Sequence, residues 1–425
     1  MHIHILGIAG TFMGGIALIA KQLGHTISGQ DENIYPPMSE QLSNNSISFT
    51  SGYFVNKMPK ADLYLIGNAL SRGNECIEHI LSNNLNYTSA PLWLGEAVLK
   101  NKWVIAVSGT HGKTTTSSII AHILEDNGFN PSFLIGGICE NFGISSRLTD
   151  SMFFVIEADE YDTAFFDKRS KFIHYYPNTL IINNIEFDHA DIFDSIKDIL
   201  KQFHHLIRTL PKEVQVIYPA NDNNICNLMQ MGVWSEKKTF ELSKYTILED
   251  KVNFAIDGEK VSWNMLGEHN INNATAAINA CLHAGIPIKN SAQSLQSFKG
   301  IKRRLEVKFK NDNLTIYDDF AHHPTSIQTT INGLRKKVGN EKIIIVLELK
   351  SNTMKMDYFA KQLPVSLREA DEALILKNSI NANNVTIYNS TTDILNALKN
   401  KSGHIIFMSN GGFEDIINRL IKRID

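Results

Sequence analysis

No stretch of this sequence reaches the ~18 consecutive apolar residues that a membrane-crossing helix needs. Its opening, MHIHILGIAGTFMGG, has neither the basic start nor the long apolar run of a secretory signal. These absences point to a cytoplasmic chain with no membrane insertion. Cysteine is scarce: Cys76, Cys139, Cys226 and Cys281 stand far apart with no C-x-x-C pair, which argues against a zinc site or a disulfide framework and leaves buried or idle thiols. Neither sign of charge dominates, with 41 Lys and Arg against 44 Asp and Glu, so the signature of a nucleic-acid binder is missing. Low-complexity linkers and short-period repeats are absent, so domains must be joined by short connections. Two glycine patterns are also incomplete. Gly7, Gly10, Gly14 and Gly15 begin G-x-x-G-x-x-x-G rather than G-x-G-x-x-G, which disfavours a nicotinamide dinucleotide. Farther on, VSGTHGKTTT has Val107 where the usual nucleotide loop carries its first glycine.

What is present is a repeated alternation of apolar strands and helices. A chain of 425 residues suggests two to four domains of roughly 100–200 residues. HIHILGIAGTFMGGIALIAKQLGHTISGQD reads as strand, Gly-rich turn, helix stopped by Gly24 and second strand ending near Asp31, the opening of a nucleotide-binding α/β fold. A fresh strand, loop and helix start at KWVIAVSGTHGKTTT, and MFFVIEAD and TLIINNIEFD add further strands before the helix NINNATAAINACLHAG. A third block begins near FKGIKRRLEV and carries LTIYDDFAHHP, KIIIVLEL, EALILK and HIIFMSNGG. The reading is three α/β domains at 1–101, 102–297 and 298–425, with parallel sheets covered on both faces.

In GTHGKTTT an apolar strand delivers Gly109 and Gly112 to a helix start, where backbone N–H groups and the helix dipole favour phosphate. Lys113 offers a point charge to the β/γ-phosphates, and the Thr114 hydroxyl suits Mg²⁺. VIEADEYD then gathers Glu157, Asp159, Glu160 and Asp162 at a strand end, and NNIEFDHADIFD adds Glu186, Asp188 and His189. Each acidic group alone is a common solvated strand end; two of them behind a phosphate loop fit magnesium beside substrate phosphates. In LGEHNINNATAA, His269, Asn270 and Asn273 precede or open an Ala-rich helix, and both a helix cap and an adenine contact remain open for the asparagines. Arg303 and Arg304, and Asp318, Asp319, His322 and His323, stand between a surface reading and a functional one. The N-terminal turn with Asp31 suits a pyrophosphate-bearing ligand. Two phosphate sites imply one nucleotide as fuel and another as part of a substrate.

Taken in order, GTHGKTTT, EADE, NNIEFDHAD, GEHNINNATAA, KRRLE and DDFAHHP resemble the Mur ligases across nearly the whole chain. That family joins amino acids or peptides to UDP-linked muramic acid with ATP. GIAGTFMGG, YPPMS, GNALSRGN, APLWLGEA, EYDTAFFDKRSKF, QFHHLIRT and SNTMK bring the resemblance nearer the murein-recycling tripeptide branch than the branch that adds the first L-alanine.

The resemblance implies a UDP-binding Rossmann-like domain, a central P-loop ATPase domain and a Rossmann-like C-terminal domain, in a monomer. It implies that ATP phosphorylates the lactyl carboxylate of UDP-N-acetylmuramate, and that the α-amine of L-alanyl-γ-D-glutamyl-meso-diaminopimelate attacks the acyl phosphate. Carried over by motif, Lys113, Glu157 and His189 are catalytic, and Thr114, Glu157 and His189 serve Mg²⁺. Gly109, Thr110, His111, Gly112, Lys113, Thr114, Thr115, His269, Asn270, Asn273, Arg304, Asp319 and His323 surround ATP. Gly10, Thr11, Met13, Gly14, Asp31, Asn68, Ser71 and Arg72 hold the UDP-sugar; Lys350, Ser351, Asn352, Thr353 and Lys355 meet the peptide. Several relatives carry a carbamylated lysine in an Ala-Ala-Lys stretch; DILKQFHHLI has no such stretch, so Lys201 is not given that role. Lys350 replaces the family's usual arginine, keeping charge but losing a planar fork for carboxylate. Two other readings use parts of the same pattern: the L-alanine ligase, and a nucleotide-dependent switch without chemistry. The intact acidic edges and DDFAHHP argue against the switch.

Overall fold

A computed structural model describes residues 1–35, 38–190, 192–248, 251–349, 362–377 and 384–424. The chain forms two compact units, one from Met1–Glu186, Ser195–Glu241 and Asn273–Phe298, the other from Phe187–Asp194, Leu242–Asn272 and Lys299–Asp425. Among the described residues no helix is long and apolar enough to cross a membrane.

The first unit holds two main sheets. Strands β1 (His2–Leu6), β2 (Thr26–Asp31), β3 (Ser48–Ser51), β4 (Leu63–Ile66) and β5 (Tyr87–Ser89) form a wholly parallel sheet in the order β3-β2-β1-β4-β5. Next come β6 (Trp103–Ser108), β7 (Ser132–Leu134), β8 (Ser146–Arg147), β9 (Phe153–Glu157), the hairpin β10 (Asp162–Ala164) and β11 (Asp167–Ser170), then β12 (Thr179–Ile182), β13 (Gln215–Pro219) and β14 (Glu236–Phe240). Apart from the hairpin they form one sheet, ordered β14-β13-β12-β6-β9-β7-β8. Strand order reverses at β1 and at β6, and in such sheets ligands bind beyond the carboxyl ends of the strands at the reversal. The segment from Val104 to Val107 is at most 1% exposed, as expected of a strand covered on both faces. Burying each of its larger aliphatic side chains contributes about 1.5–3 kcal/mol. Helix Ile196–Ile207 shows the matching amphipathic pattern, with Ile199, Phe203, Leu206 and Ile207 buried on one face.

The second unit contains a small antiparallel sheet of β15 (Tyr245–Leu248), β16 (Lys251–Ile256) and β17 (Glu259–Trp263). Its larger sheet comprises β18 (Glu306–Lys310), β19 (Leu314–Asp319), β20 (Ile343–Glu348), β21 (Glu372–Leu376), β22 (Val385–Tyr388) and β23 (Gly403–Met408), ordered β18-β19-β23-β20-β21-β22. A core of Ile316, Ile344, Val346, Leu374, Ile405 and Phe407 packs against Ile394, Leu395 and Ile416 from the last helices.

The larger sheets are parallel, as the alternation of strand and helix indicates, except at two edges. β8 runs antiparallel to β7, and β18 antiparallel to β19. The β18–β19 connection is a tight turn in which Asn311 Oδ1 accepts from the N–H groups of Asn313 and Leu314, and a link that short permits only an antiparallel pair. The hairpin and the three-stranded sheet were not expected from the sequence either. For β16 and β17 the signal was present: VNFAI and EKVSW alternate around Asp257–Gly258, a favoured hairpin turn. Cys76, Cys139 and Cys281 are free and buried, and Cys226 is free and half-buried, in keeping with idle thiols.

Candidate functional site

β6 ends at Ser108, and the chain turns through Gly109–Gly112 into the helix Lys113–Asp126. Val107 is buried inside the strand, paired with Ile181 on one side and Glu157 on the other. The loop therefore starts two residues after it, and the position of the usual first glycine is ladder. Gly109 and Gly112 have φ of +122° and +81°, a region that L side chains rarely adopt. A Cβ on Gly109 would lie 2.8 Å from the Asn184 carbonyl oxygen. One on Gly112 would overlap the Asn273 carboxamide oxygen and lie 2.9 Å from Asn183 Nδ2.

Two adjacent asparagines after β12 clamp this loop. Thr110 N donates to Asn184 O (3.1 Å) and His111 N to Asn184 Oδ1 (2.8 Å). Asn184 Nδ2 donates to His111 O (3.2 Å), and Asn183 Nδ2 donates to Thr116 Oγ1 (3.0 Å). Thr110 Oγ1 accepts from Glu186 N at 2.8 Å, and His111 Nε2 stands 3.4 Å from Glu186 Oε2. The sequence motif contains this Asn-Asn pair without revealing its role; paired amides directly after a buried strand were the available signal. Thr115 is buried in the first helical turn.

Lys113 Nζ donates to Gly109 O (2.7 Å) and Glu160 Oε2 (3.1 Å), and lies 3.8 Å from Asp159 Oδ1. Burial alone would lower its pKa, but Glu160, Asp159 and Glu157 outweigh that and raise it, so Lys113 is held as a cation. Thr114 Oγ1 donates to Glu157 Oε1 and Oε2 at 3.0 and 3.2 Å, and Gly136 N donates to Glu157 Oε2 at 2.6 Å. Burial pushes the Glu157 carboxyl above its ordinary range, against the pull of Lys113. Thr114 and Glu157 thus turn hard oxygen donors toward one point, which fits magnesium. His189 belongs to the second unit, where its N–H donates to Asp188 Oδ1 at 2.7 Å and its φ is +55°. Lys171 was absent from the sequence candidates. It is buried, 3.5 Å from Asp159 Oδ2, with its ammonium over the rings of Phe12 and Tyr161.

At the N terminus, the helix Thr11–Gln22 follows Gly10 without a side-chain cap, leaving its first N–H groups available for an anion. Asp31 braces this turn: Oδ2 accepts from Ala9 N (2.9 Å) and Oδ1 from Asn33 N (3.1 Å). Met13 and Gly14 are buried, with Gly14 against Met38. Thr11 and Ser71 are exposed and Asn68 is half-buried. Arg72 is exposed and makes a bidentate pair with Glu78, whose carboxyl it holds down at about 2.

In the second unit, Asn270 Nδ2 donates to Leu266 O (2.7 Å), and the His269 ring packs over Gly267. Asp319, at the end of β19, accepts from Leu305 N (2.6 Å) and Ala321 N (2.7 Å). Burial raises its pKa, with Arg304 the chief opposing charge. The Arg304 guanidinium lies 5.2 Å from the Phe320 ring centroid. His323 caps the helix Pro324–Val338, its Nδ1 accepting from Thr325 N. Glu348 at the end of β20 accepts from Ser409 Oγ at 2.6 Å, a pairing the sequence did not foretell. Lys350, Ser351, Asn352, Thr353 and Lys355 lie outside the described residues.

Three family descriptions match the chain in succession: "Mur ligase family, catalytic domain" over residues 2–102, "Mur ligase middle domain" over 107–281, and "Mur ligase, glutamate ligase domain" over 303–416. The chain is 47% identical to the UDP-N-acetylmuramate:L-alanyl-γ-D-glutamyl-meso-2,6-diaminoheptandioate ligase of Haemophilus influenzae, covering 100% of this chain and 99% of the relative. It is equally 47% identical to the protein of the same name from Escherichia coli, covering 99% and 98%. A solved murein peptide ligase from Psychrobacter arcticus superposes with a TM-score of 0.76 at 40% identity, over 99% of this chain and 98% of that one. With the short phosphate loop, the opposed Thr114 and Glu157, and this likeness along its length, the chain belongs to the Mur ligase family.

Proposed function

We propose that this chain is an ATP-dependent ligase that joins L-alanyl-γ-D-glutamyl-meso-diaminopimelate to the lactyl carboxylate of UDP-N-acetylmuramate in murein recycling. The observation that carries this reading is the end-to-end 47% identity to two ligases named for that reaction. Relatives named as L-alanine ligases stand at 30–32% over 80–88% of the chain. ATP and a nucleotide sugar are intracellular substrates, and we assign the chain to the cytoplasm.

In the first step a carboxylate oxygen of the sugar bonds to the γ-phosphorus of ATP, the bond to the β-bridging oxygen breaks, and ADP leaves. In the second step the peptide α-amine adds to the acyl carbon, loses a proton, and phosphate departs. Phosphoryl transfer demands chiefly positioning and charge neutralisation. The N–H groups of Gly112, Lys113, Thr114 and Thr115 and the Lys113 ammonium would receive the phosphates, with Gly109, Thr110 and His111 shaping the loop around them. Thr114 and Glu157, with His189, would hold magnesium, which supplies positive charge beside the transferring phosphoryl group. His269, Asn270, Asn273, Arg304, Asp319 and His323 would complete the ATP site. Residues 1–101, through Gly10, Thr11, Met13, Gly14, Asp31, Asn68, Ser71 and Arg72, would bind the UDP-sugar, while residues 298–425 would bind the peptide through the segment from Lys350 to Lys355.

The test is phosphate release by purified protein given UDP-N-acetylmuramate, Mg²⁺ and ATP. Release is expected on adding the tripeptide; release with L-alanine alone would assign the chain to the other branch.

A further inference from the structure

The reading above gives no part to Lys171, yet its surroundings are unusual for a lysine. Its side chain is 8% exposed. Among the described residues its charged neighbour is Asp159, at 3.5 Å, and that carboxylate is shared: its other oxygen lies 3.8 Å from Lys113 Nζ. The ammonium is 5.3 Å from the ring centroid of Phe12 and 5.5 Å from that of Tyr161. Phe12 stands in the first turn of the uncapped helix that follows the N-terminal glycine turn. The Lys171 charge therefore bridges two places, the helix start at the mouth of β1 and the loop that carries Lys113.

A second observation concerns the hydrogen bonds of this ammonium. A lysine carries three N–H donors, and Asp159 at 3.5 Å satisfies at most one of them weakly. The spare donors of this buried cation make a receptor for an anionic oxygen.

We propose that Lys171 binds the carboxylate of the sugar substrate and sets it against the loop of Lys113 for phosphorylation. This rests on the ligase reading for the identity of the acid. The shared chemistry is an anion of the UDP-sugar, which carries two kinds, a diphosphate and a carboxylate. The position of Lys171 next to Lys113 through Asp159 favours the carboxylate, because that group must reach the γ-phosphate.

The experiment is calorimetric titration of the intact chain, without ATP or peptide, using UDP-N-acetylmuramate and UDP-N-acetylglucosamine, which keeps the diphosphate but lacks the lactyl carboxylate. For Lys171→Met, affinity for the muramate is expected to fall by roughly tenfold to a hundredfold, the worth of one hydrogen bond to a charged group, while glucosamine binding stays level. An equal loss for both sugars would mean a diphosphate contact, and no loss for either would mean a structural lysine; each overturns the proposal. Should Lys171→Met fail to fold, Lys171→Gln takes its place, and unchanged discrimination between the sugars in that variant overturns the proposal. Failure of the ligase reading is separate: there the wild-type chain itself would not prefer the muramate.

Discussion

Replacing Lys113 by methionine removes the cation from a cluster of three carboxylates while keeping most of the side-chain volume. At 3.1 Å from Glu160, and with an effective dielectric of ~20, the attraction amounts to about 5 kcal/mol before desolvation is subtracted. Lys113 and Glu160 side chains are 12% and 2% exposed, so solvent does little to screen the pair. Breaking such a buried pair by deleting one partner costs about 3–5 kcal/mol. For a cooperative unit of roughly 150–250 residues, a loss of ~3 kcal/mol lowers the unfolding midpoint by roughly 6–12 °C. The deficit must also depend on pH. In the wild type, burial already raises the Glu157 carboxyl above its ordinary 4.5, and Lys113 is the main charge holding it back. Without Lys113 that folded pKa climbs further. A carboxylate raised on folding binds more protons in the folded state, so stability falls as pH rises from the unfolded pKa through the folded one. Lys113→Met is therefore expected to lose more stability at pH 8 than at pH 5, to release no phosphate, and to keep UDP-sugar binding. Thermal melts of both proteins at both pH values read this directly. Equal midpoints, or a deficit of the same size at pH 5 and pH 8, would refute the assignment of Lys113 to this ion network.

Two other perturbations probe separate parts of the first unit. Gly112→Ala forces a Cβ into a left-handed conformation, costing about 1–2 kcal/mol, and pushes aside the Asn273 and Asn183 amides. ATP affinity is expected to drop roughly 5- to 30-fold by that penalty; unchanged nucleotide binding in a titration would show the loop tolerates a side chain. His4, buried beside Ser28, has its pKa lowered to about 4 by burial and then by His2. The folded state resists protonating it, so stability is full above the ordinary pKa of 6.5 and is lost as pH falls from there toward 4, by up to roughly 3 kcal/mol. His4→Gln should flatten this part of the stability profile, and an identical acid profile would exclude His4 as its source.

Much of the architecture was legible because its determinants are local. The first strand, turn, helix and second strand lie where the apolar spacing, Gly24 and Asp31 indicate. The phosphate loop announces itself by Gly109 and Gly112, both at positive φ. What was not legible is set by partners distant in sequence. The amides that hold the loop come from Asn183 and Asn184, about 70 residues downstream, as their hydrogen bonds to His111 record. Lys171 reads on paper as one of several charges in DKRSK, and no local pattern shows that the Asp31 oxygens accept from the N–H groups of Ala9 and Asn33. The antiparallel edges β8 and β18 escaped because periodicity reports which face of a strand is buried, without reporting which strand lies beside it.

By itself, then, the chain's order of residues determined the α/β class, the phosphate loop, the supply of acidic oxygens after it, and the family, because each of these is written in short contiguous patterns. The tertiary structure alone decided that Glu157 faces Thr114, that Glu160 and Asp159 share the Lys113 charge, and that a buried lysine links the glycine turn at β1 to the loop at β6. Those pairings depend on strand order and on burial, which strengthen some charges and orphan others, and no local pattern carries either.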